Sequence, residues 1–251
     1  CNSGNANAGT GPRGMSDALR SCEAAAQVLG GELHQVLPYS TGVIGEPLPL
    51  AKLVAALPAA AANLDEQHWD RAAKAIMTTD TFAKGASERF EIAGETVVIT
   101  GISKGAGMIQ PNMATMLGFL ATDAKISAEL LQACLANAVE KSFNRITVDG
   151  DTSTNDACTI LASGASAAPI IEANSAEYEV FAAALNKVCK RLAELIVRDG
   201  EGATKLMRIV VEQAQDSAEA VQVAKTIAHS PLVKTAFFLY RGRWSAGDES
   251  S

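Results

Sequence analysis

Phe181, Leu185, Val188, Leu192 and Leu195 recur every three or four residues between Ser175 and Val197. That period belongs to a long helix with one apolar stripe, and such a stripe has to be covered by another layer of structure. Leu130, Leu131, Cys134, Ala138 and Val139 repeat the pattern and predict an amphipathic helix over Ser127 to Phe143. Arg89 to Ala93 and Thr96 to Ile102 read instead as strands, with Ala93-Gly94-Glu95 as a hairpin turn between them. Further helices are expected at Ser16 to Leu29, stopped by Gly30-Gly31, at Lys52 to Asn63, interrupted by Pro58, at Glu66 to Ile76, and at Ser217 to Ala228, closed by Pro231. Glu32 to Pro38 reads as a short extended piece leading into a turn at Tyr39 to Gly42, and strands are expected at Ile146 to Val148, Thr159 to Ala162 and Leu206 to Val211. Strands and helices mix without a regular βαβ beat and without an internal repeat. The expected fold class is α/β (α+β), with layered sheets flanked by helices.

Composition narrows the function classes. The 251 residues are 48% hydrophobic and 20% charged, which fits a folded chain with a sizeable core and excludes collagen or a disordered tail. Basic residues number 21 and acidic ones 28, so the net charge of 21 − 28 = −7 argues against a nucleic-acid partner. The longest apolar stretch, Leu53 to Ala62, contains Pro58 and falls well short of the ~20 residues of a membrane span, so no membrane is expected. The polar opening Cys1-Asn-Ser-Gly-Asn5 does not read as a signal peptide. Cys1, Cys22, Cys134, Cys158 and Cys189 are odd in number and far apart, which predicts neither a disulfide framework nor a metal site, and fits a reducing, cytoplasmic setting.

Three short motifs do not carry their usual chemistry. Gly9-Thr-Gly-Pro-Arg-Gly14 matches a dinucleotide fingerprint, but Asn5 to Ala8 is no buried strand and Pro12 is expected to disturb the turn into a helix. Gly101-Ile-Ser-Lys-Gly105 matches a nucleophile elbow, yet no helix start follows Ser103 and His229 is the only downstream histidine. Asp149, Asp151 and Ser153 begin like a calcium loop, with Thr154 where glycine is needed and Ile160 where the last glutamate belongs. His34, His68 and His229 stand without ligand spacing.

Lys104-Gly-Ala-Gly-Met-Ile-Gln-Pro-Asn-Met-Ala-Thr115-Met-Leu117 is different, because it puts glycines and a proline into an otherwise apolar region. One reading is a buried loop. The other is a strained loop that presents the Ala114–Thr115 peptide bond to the Thr115 hydroxyl.

Six separated blocks now stand in order: Asn2-Ser-Gly-Asn-Ala-Asn-Ala-Gly9, Ser40-Thr-Gly-Val-Ile-Gly-Glu46, Met77-Thr-Thr-Asp-Thr81, Lys104 to Asp123, Asp149-Gly-Asp-Thr-Ser-Thr-Asn-Asp156 and Arg198-Asp-Gly-Glu-Gly-Ala-Thr204. With these blocks the chain closely resembles the ornithine acetyltransferase family, also called glutamate N-acetyltransferase, from Asn2 to about Phe238. The resemblance implies the N-terminal-nucleophile fold of that family and a precursor that cuts itself between Ala114 and Thr115. Residues 1–114 would form the first-chain portion and 115–238 the second, which opens on the nucleophile. The two chains are expected to stay associated, as a heterotetramer of two of each. A free α-amine on Thr115 would serve its own hydroxyl as base, since its unperturbed pKa of ~7.7–8.0 suits that work near neutral pH. The resemblance makes Thr41 and Gly42 the oxyanion hole, and Thr78, Lys104, Thr115 and Glu201 the substrate contacts. Lys104 would meet a carboxylate and Glu201 an ammonium group; taken bare, both residues read as solvated surface charges. The implied reaction moves acetyl from N2-acetylornithine to L-glutamate through acetyl-Thr115, in arginine biosynthesis, with no cofactor and with acetyl-CoA as a further donor in some members. Asp149 to Asp156 reads as structural, with no chemical step assigned to its carboxylates.

Residues 239–251, from Leu239-Tyr-Arg-Gly-Arg onward, do not follow the family's pattern, and Cys1 enters in mid-motif. The expectation is a fragment that self-cleaves and transfers acetyl slowly. Two other readings stay open: a related N-terminal-nucleophile aminopeptidase or amidase, which would hand the acyl group to water, and an inactive fragment.

Overall fold

The computed structural model describes residues 1–109, 116–151 and 153–239, and it divides into a unit of residues 1–201 and a second unit from 202 onward. The first unit holds a four-stranded sheet in the order β3-β4-β5-β6: β3 (Lys84–Ile92) and β4 (Glu95–Lys104) form the expected hairpin, β5 (Leu117–Thr122) pairs antiparallel with β4, and β6 (Ala157–Ala162) pairs parallel with β5. Side chains alternate across β4. Val97 and Ile99 join the main core with Phe181, Leu185, Val188, Leu192 and Ile196, while Ile102 packs on the opposite face with Ala73, Ile76 and Trp69. Gly101 lies under the helix: a Cβ there would meet Leu192 Cδ1 at 3.1 Å. The first face is therefore covered by α5 (Ala176–Arg198), with α4 (Ala128–Glu140) beside it, and the second by the short α3 (Trp69–Ala75). Ser127 and Ser175 cap α4 and α5, each side chain accepting from the amide three residues on.

A separate two-stranded parallel sheet joins β1 (Asn2–Asn5) to β2 (Ser40–Val43). Between them run α1 (Gly11–Leu29) and a 3-10 turn at Leu33–Gln35; α2 (Leu50–Ala62) follows. In the second unit the described elements are α6 (Ser217–His229) and α7 (Pro231–Leu239).

Several expectations need correction. Pro12 does not disturb the entry to α1 but sits in its first turn, where a missing amide hydrogen costs nothing, so the helix begins at Gly11 rather than Ser16. Pro58 lies inside α2 without ending it, and Pro231 opens α7 as well as following α6. Ile146 to Val148 is not a strand; the Val148 amide donates to the Ile109 carbonyl at 2.8 Å instead of joining a ladder. Leu206 to Val211 is not a strand either. Glu32 to Pro38 contains the 3-10 turn rather than an extended run. Tyr39 to Gly42, read as a turn, contributes most of β2. Cys22, Cys134 and Cys189 are buried. No helix among the described residues is long and apolar enough to cross a membrane.

Candidate active site

Lys104 is the last residue of β4 and is only 3% exposed. Its ammonium donates to Thr78 Oγ1 at 2.8 Å and to Thr41 Oγ1 at 3.1 Å. Burial lowers its pKa; Asp80 opposes that shift and Lys84 adds to it. The solvated-surface reading of Lys104 is thus overturned: the final residue of a strand is carried inward, and its charge is matched by hydroxyls. An ammonium only donates, so the two hydroxyl oxygens accept from Lys104 and keep their own protons for another acceptor. A carbonyl or tetrahedral oxygen is such an acceptor.

Thr41, a residue only 2% exposed, brings its hydroxyl to this point from β2. Its neighbour Gly42 holds φ at +132°, and a Cβ there would lie 2.3 Å from the Gly4 carbonyl carbon and 2.6 Å from the Asn5 amide nitrogen. Both obstacles are backbone, so the close pairing of β1 with β2 requires glycine. Gly42→Ala is expected to cost about 2 kcal/mol or more, roughly 4–8 °C of thermal midpoint; an unchanged melting curve would contradict this.

Glu201 arrives from beyond α5, its amide donating to the Ala106 carbonyl at 2.8 Å. Its carboxylate lies against Gly107, where a Cβ would approach it to 2.7 Å, and it attracts the Lys104 charge. Unlike Lys104, it remains exposed. Of the residues singled out from sequence, Thr41, Thr78 and Lys104 meet directly, with Gly42 and Glu201 at the margin. Ala114 and Thr115 lie outside the described residues.

Beneath the lysine is an acidic frame that sequence reasoning missed. Lys84 donates to Asp80 Oδ1 at 2.6 Å and to Asp199 Oδ2 at 2.5 Å, with all three side chains at 0% or 1% exposure. Asp80 also accepts from the Gly105 amide at 2.7 Å and the Thr78 amide at 3.1 Å, so it fixes the backbone on both sides of the Thr78–Lys104 contact. Asp199 accepts from the amide and hydroxyl of Thr81. The only signal was that Asp80 and Asp199 sit in polar blocks, which says nothing of burial.

The loop Asp149 to Asp156, read as structural, touches the site at several points. Asp149 accepts from the amides of Met108 at 2.5 Å and Ile109 at 2.9 Å. Asp156 Oδ1 accepts from the Met116 amide at 2.7 Å, and Asn155 Nδ2 donates to the Ser40 carbonyl. Ser103, by contrast, lies within β4 with its hydroxyl buried and, among the described residues, unpartnered, which is no nucleophile elbow. Among the described residues no group of three or more His, Cys, Asp or Glu side chains is placed to hold a metal ion.

The fold and site define a layered α/β protein whose polar centre forms where β2 meets the end of β4. Sequence comparison then gives the family: the chain belongs to the ArgJ family, whose model matches residues 1–245. The protein named arginine biosynthesis bifunctional protein ArgJ from Methylococcus capsulatus is 63% identical over 243 residues, covering 97% of this chain and 60% of that protein. Its namesake from Pseudomonas fluorescens is 54% identical over 246 residues, with the same coverage of 97% and 60%. The chain thus spans about 60% of the length of these curated relatives. The crystal structure of arginine biosynthesis bifunctional protein ArgJ from Bacillus halodurans is 38% identical, with a TM-score of 0.41 over 45% of this chain and 59% of that one.

Proposed function

We propose that the whole protein is an acyltransferase that moves acetyl from N2-acetylornithine to L-glutamate through an ester on Thr115, formed after the chain cuts itself at Ala114–Thr115. Membership of the ArgJ family supports this reading, and one observation carries it. Thr41, Thr78 and Lys104, 63 and 26 residues apart in sequence, converge at hydrogen-bond distance with two hydroxyl protons to spare.

In the cut, Thr115 Oγ attacks the Ala114 carbonyl carbon. The tetrahedral oxygen is received by the Thr41 hydroxyl and the Gly42 amide. The bond to the Thr115 nitrogen breaks as that nitrogen takes the proton, leaving an ester. Water then hydrolyses the ester to an Ala114 carboxylate and a Thr115 with free hydroxyl and α-amine. That amine becomes the general base that the site otherwise lacks. In the transfer, Thr115 Oγ attacks the acetyl carbonyl of N2-acetylornithine, and ornithine leaves with the proton on its nitrogen. The glutamate amine then takes the acetyl from the ester and restores Thr115. Lys104, with one N–H left after Thr41 and Thr78, meets the substrate carboxylate, and Glu201 meets an ammonium. Acetyl-CoA would enter the same ester as an alternative donor. The two cut chains remain together, two of each, in a reducing cytoplasm.

A covalent acetyl intermediate requires ping-pong kinetics. Parallel double-reciprocal lines for acetylornithine and glutamate are expected from the full-length enzyme, and intersecting lines would refute the ester.

A further inference from the structure

Ile109 and Met116 are the last described residue before the 110–115 segment and the first after it. Each has both backbone groups bonded, and every partner comes from one short stretch, 147–157. Ile109 donates its amide to Asp149 at 2.9 Å and receives the Val148 amide at 2.8 Å and the Thr147 hydroxyl at 3.2 Å on its carbonyl. Met116 donates its amide to Asp156 at 2.7 Å and receives the Ala157 amide at 3.1 Å. The stretch is itself tied to β2, because Asn155 donates to the carbonyl of Ser40, one residue before Thr41. Ordinary turn formation does not require this arrangement. A loop that only reverses the chain satisfies its own amides, as Asp149 does for Asp151 at 3.1 Å; here the two terminal carboxylates of the loop are spent on backbone far away in sequence.

We propose that residues 147–151 and 153–157 are a clamp that grips both flanks of the segment carrying the Ala114–Thr115 bond, with Asp149 and Asp156 as its positioning residues. The inference rests on the self-cleaving reading above. Its physical basis is that the Met116 amide nitrogen is covalently joined to the Thr115 carbonyl carbon, so fixing that nitrogen fixes one end of the residue that must attack. Displacing a reacting group by about 1 Å can cost on the order of 10²-fold in rate.

Asp156 carries a second feature. Among the described residues its Oδ2 is buried without a hydrogen-bond partner. Burial raises its carboxyl to about 6, against the opposing pull of the Met116 amide, Ser153 and the Lys104 ammonium. Among the described residues Lys104 is the charge that acts on Asp156, and Lys104 itself feels Asp80, Lys84 and Glu201. The grip on Met116 should thus strengthen as Asp156 ionises, because a carboxylate accepts more strongly than a neutral acid.

The test follows the cut by intact mass in freshly translated full-length chains. Asp156→Ala is expected to slow it by about 30-fold or more and Asp149→Ala by about tenfold. Asp156→Asn keeps an acceptor for Met116 but not the charge, so it mimics the protonated acid. The wild-type rate should match it near pH 5 and exceed it roughly three- to tenfold at pH 7.5. A merely structural aspartate would give a ratio independent of pH. If Asp156→Ala does not fold, the ratio to Asp156→Asn decides alone. Wild-type cutting by both alanine variants, or a flat ratio, overturns the clamp while Thr115→Ala stays uncut. Cutting of Thr115→Ala at the same bond overturns the self-cleaving reading and the clamp with it.

Discussion

Thr115→Ala is expected to yield one uncut chain, where the full-length parent is expected to give two polypeptides, the second beginning Thr115-Met116-Leu117. The effect is expected to be all or none on a laboratory timescale, at least about 10⁴-fold, because the variant lacks the atom that attacks rather than one that assists. Thr115→Ser, which keeps a hydroxyl, should still cut. The same substitution removes acyl transfer twice over, since no ester forms and no free α-amine is produced to act as base. Intact mass and N-terminal sequencing of the parent and the variant read out both. A second chain beginning anywhere else, or full transfer activity from an uncut chain, would end the proposal. Activity of the cut enzyme should also fall as pH drops through the titration of the Thr115 amine, because protonation removes the base.

The elements that hydrophobic period could reveal were the legible ones. α5 and α4 each present an apolar stripe to one face, and the β3–β4 hairpin has a glycine turn between alternating runs, so their positions follow from side-chain pattern alone. β5 was not recognised because it runs between two strands and is mostly buried on both faces; Leu-Gly-Phe-Leu-Ala has no alternation to read. β1 and β2 were hidden for the opposite reason. Apart from the exposed Val43 they are made of Asn, Ser, Gly and Thr, and they are held by backbone pairing and by bonds such as Ser40 Oγ to Asn2 Oδ1 at 2.6 Å, not by apolar burial. The site divides in the same way. Thr41, Gly42, Thr78, Lys104 and Glu201 were found through family blocks, yet nothing in the sequence indicated that Lys104 is buried while Glu201 is not. Charge burial is a property of tertiary packing. A lysine ending a strand and a glutamate following a helix look alike until the layers close over one of them.

The same blindness hid Lys84, and its removal is the second large effect expected. Lys84→Met keeps the volume of a fully buried side chain, with its carbon stem still beside the Phe82 ring, whose centroid lies 4.9 Å from Nζ. It removes the ammonium bonded to both the buried Asp80 and Asp199 carboxylates, leaving Asp80 with the Lys104 charge that it does not bond. Breaking a buried ion pair on one side costs about 3–5 kcal/mol, a large share of the ~5–15 kcal/mol that holds a typical domain together. A fall in thermal midpoint of roughly 6–20 °C is expected. Lys84→Met combined with Asp80→Asn and Asp199→Asn should recover part of it, since the penalty comes from stranded charge and not from a missing bridge. The pH dependence gives the sign. Burial alone would raise both carboxyls, but in the wild type the bonds from Lys84, the amides of Gly105 and Thr78 on Asp80, and Thr81 on Asp199 outweigh it and hold both below their ordinary value. Groups with folded pKa values below the unfolded ~3.9 stabilise the fold above that pH and lose the contribution as pH falls through the folded values. In Lys84→Met the balance moves towards burial, so protonation relieves the variant while it weakens the wild type. The stability gap between the two should therefore narrow as pH falls from 7 towards 3. A constant gap, or a midpoint within about 2 °C of wild type at pH 7, would show that Lys84 does not carry the charge balance beneath the Thr78–Lys104 contact.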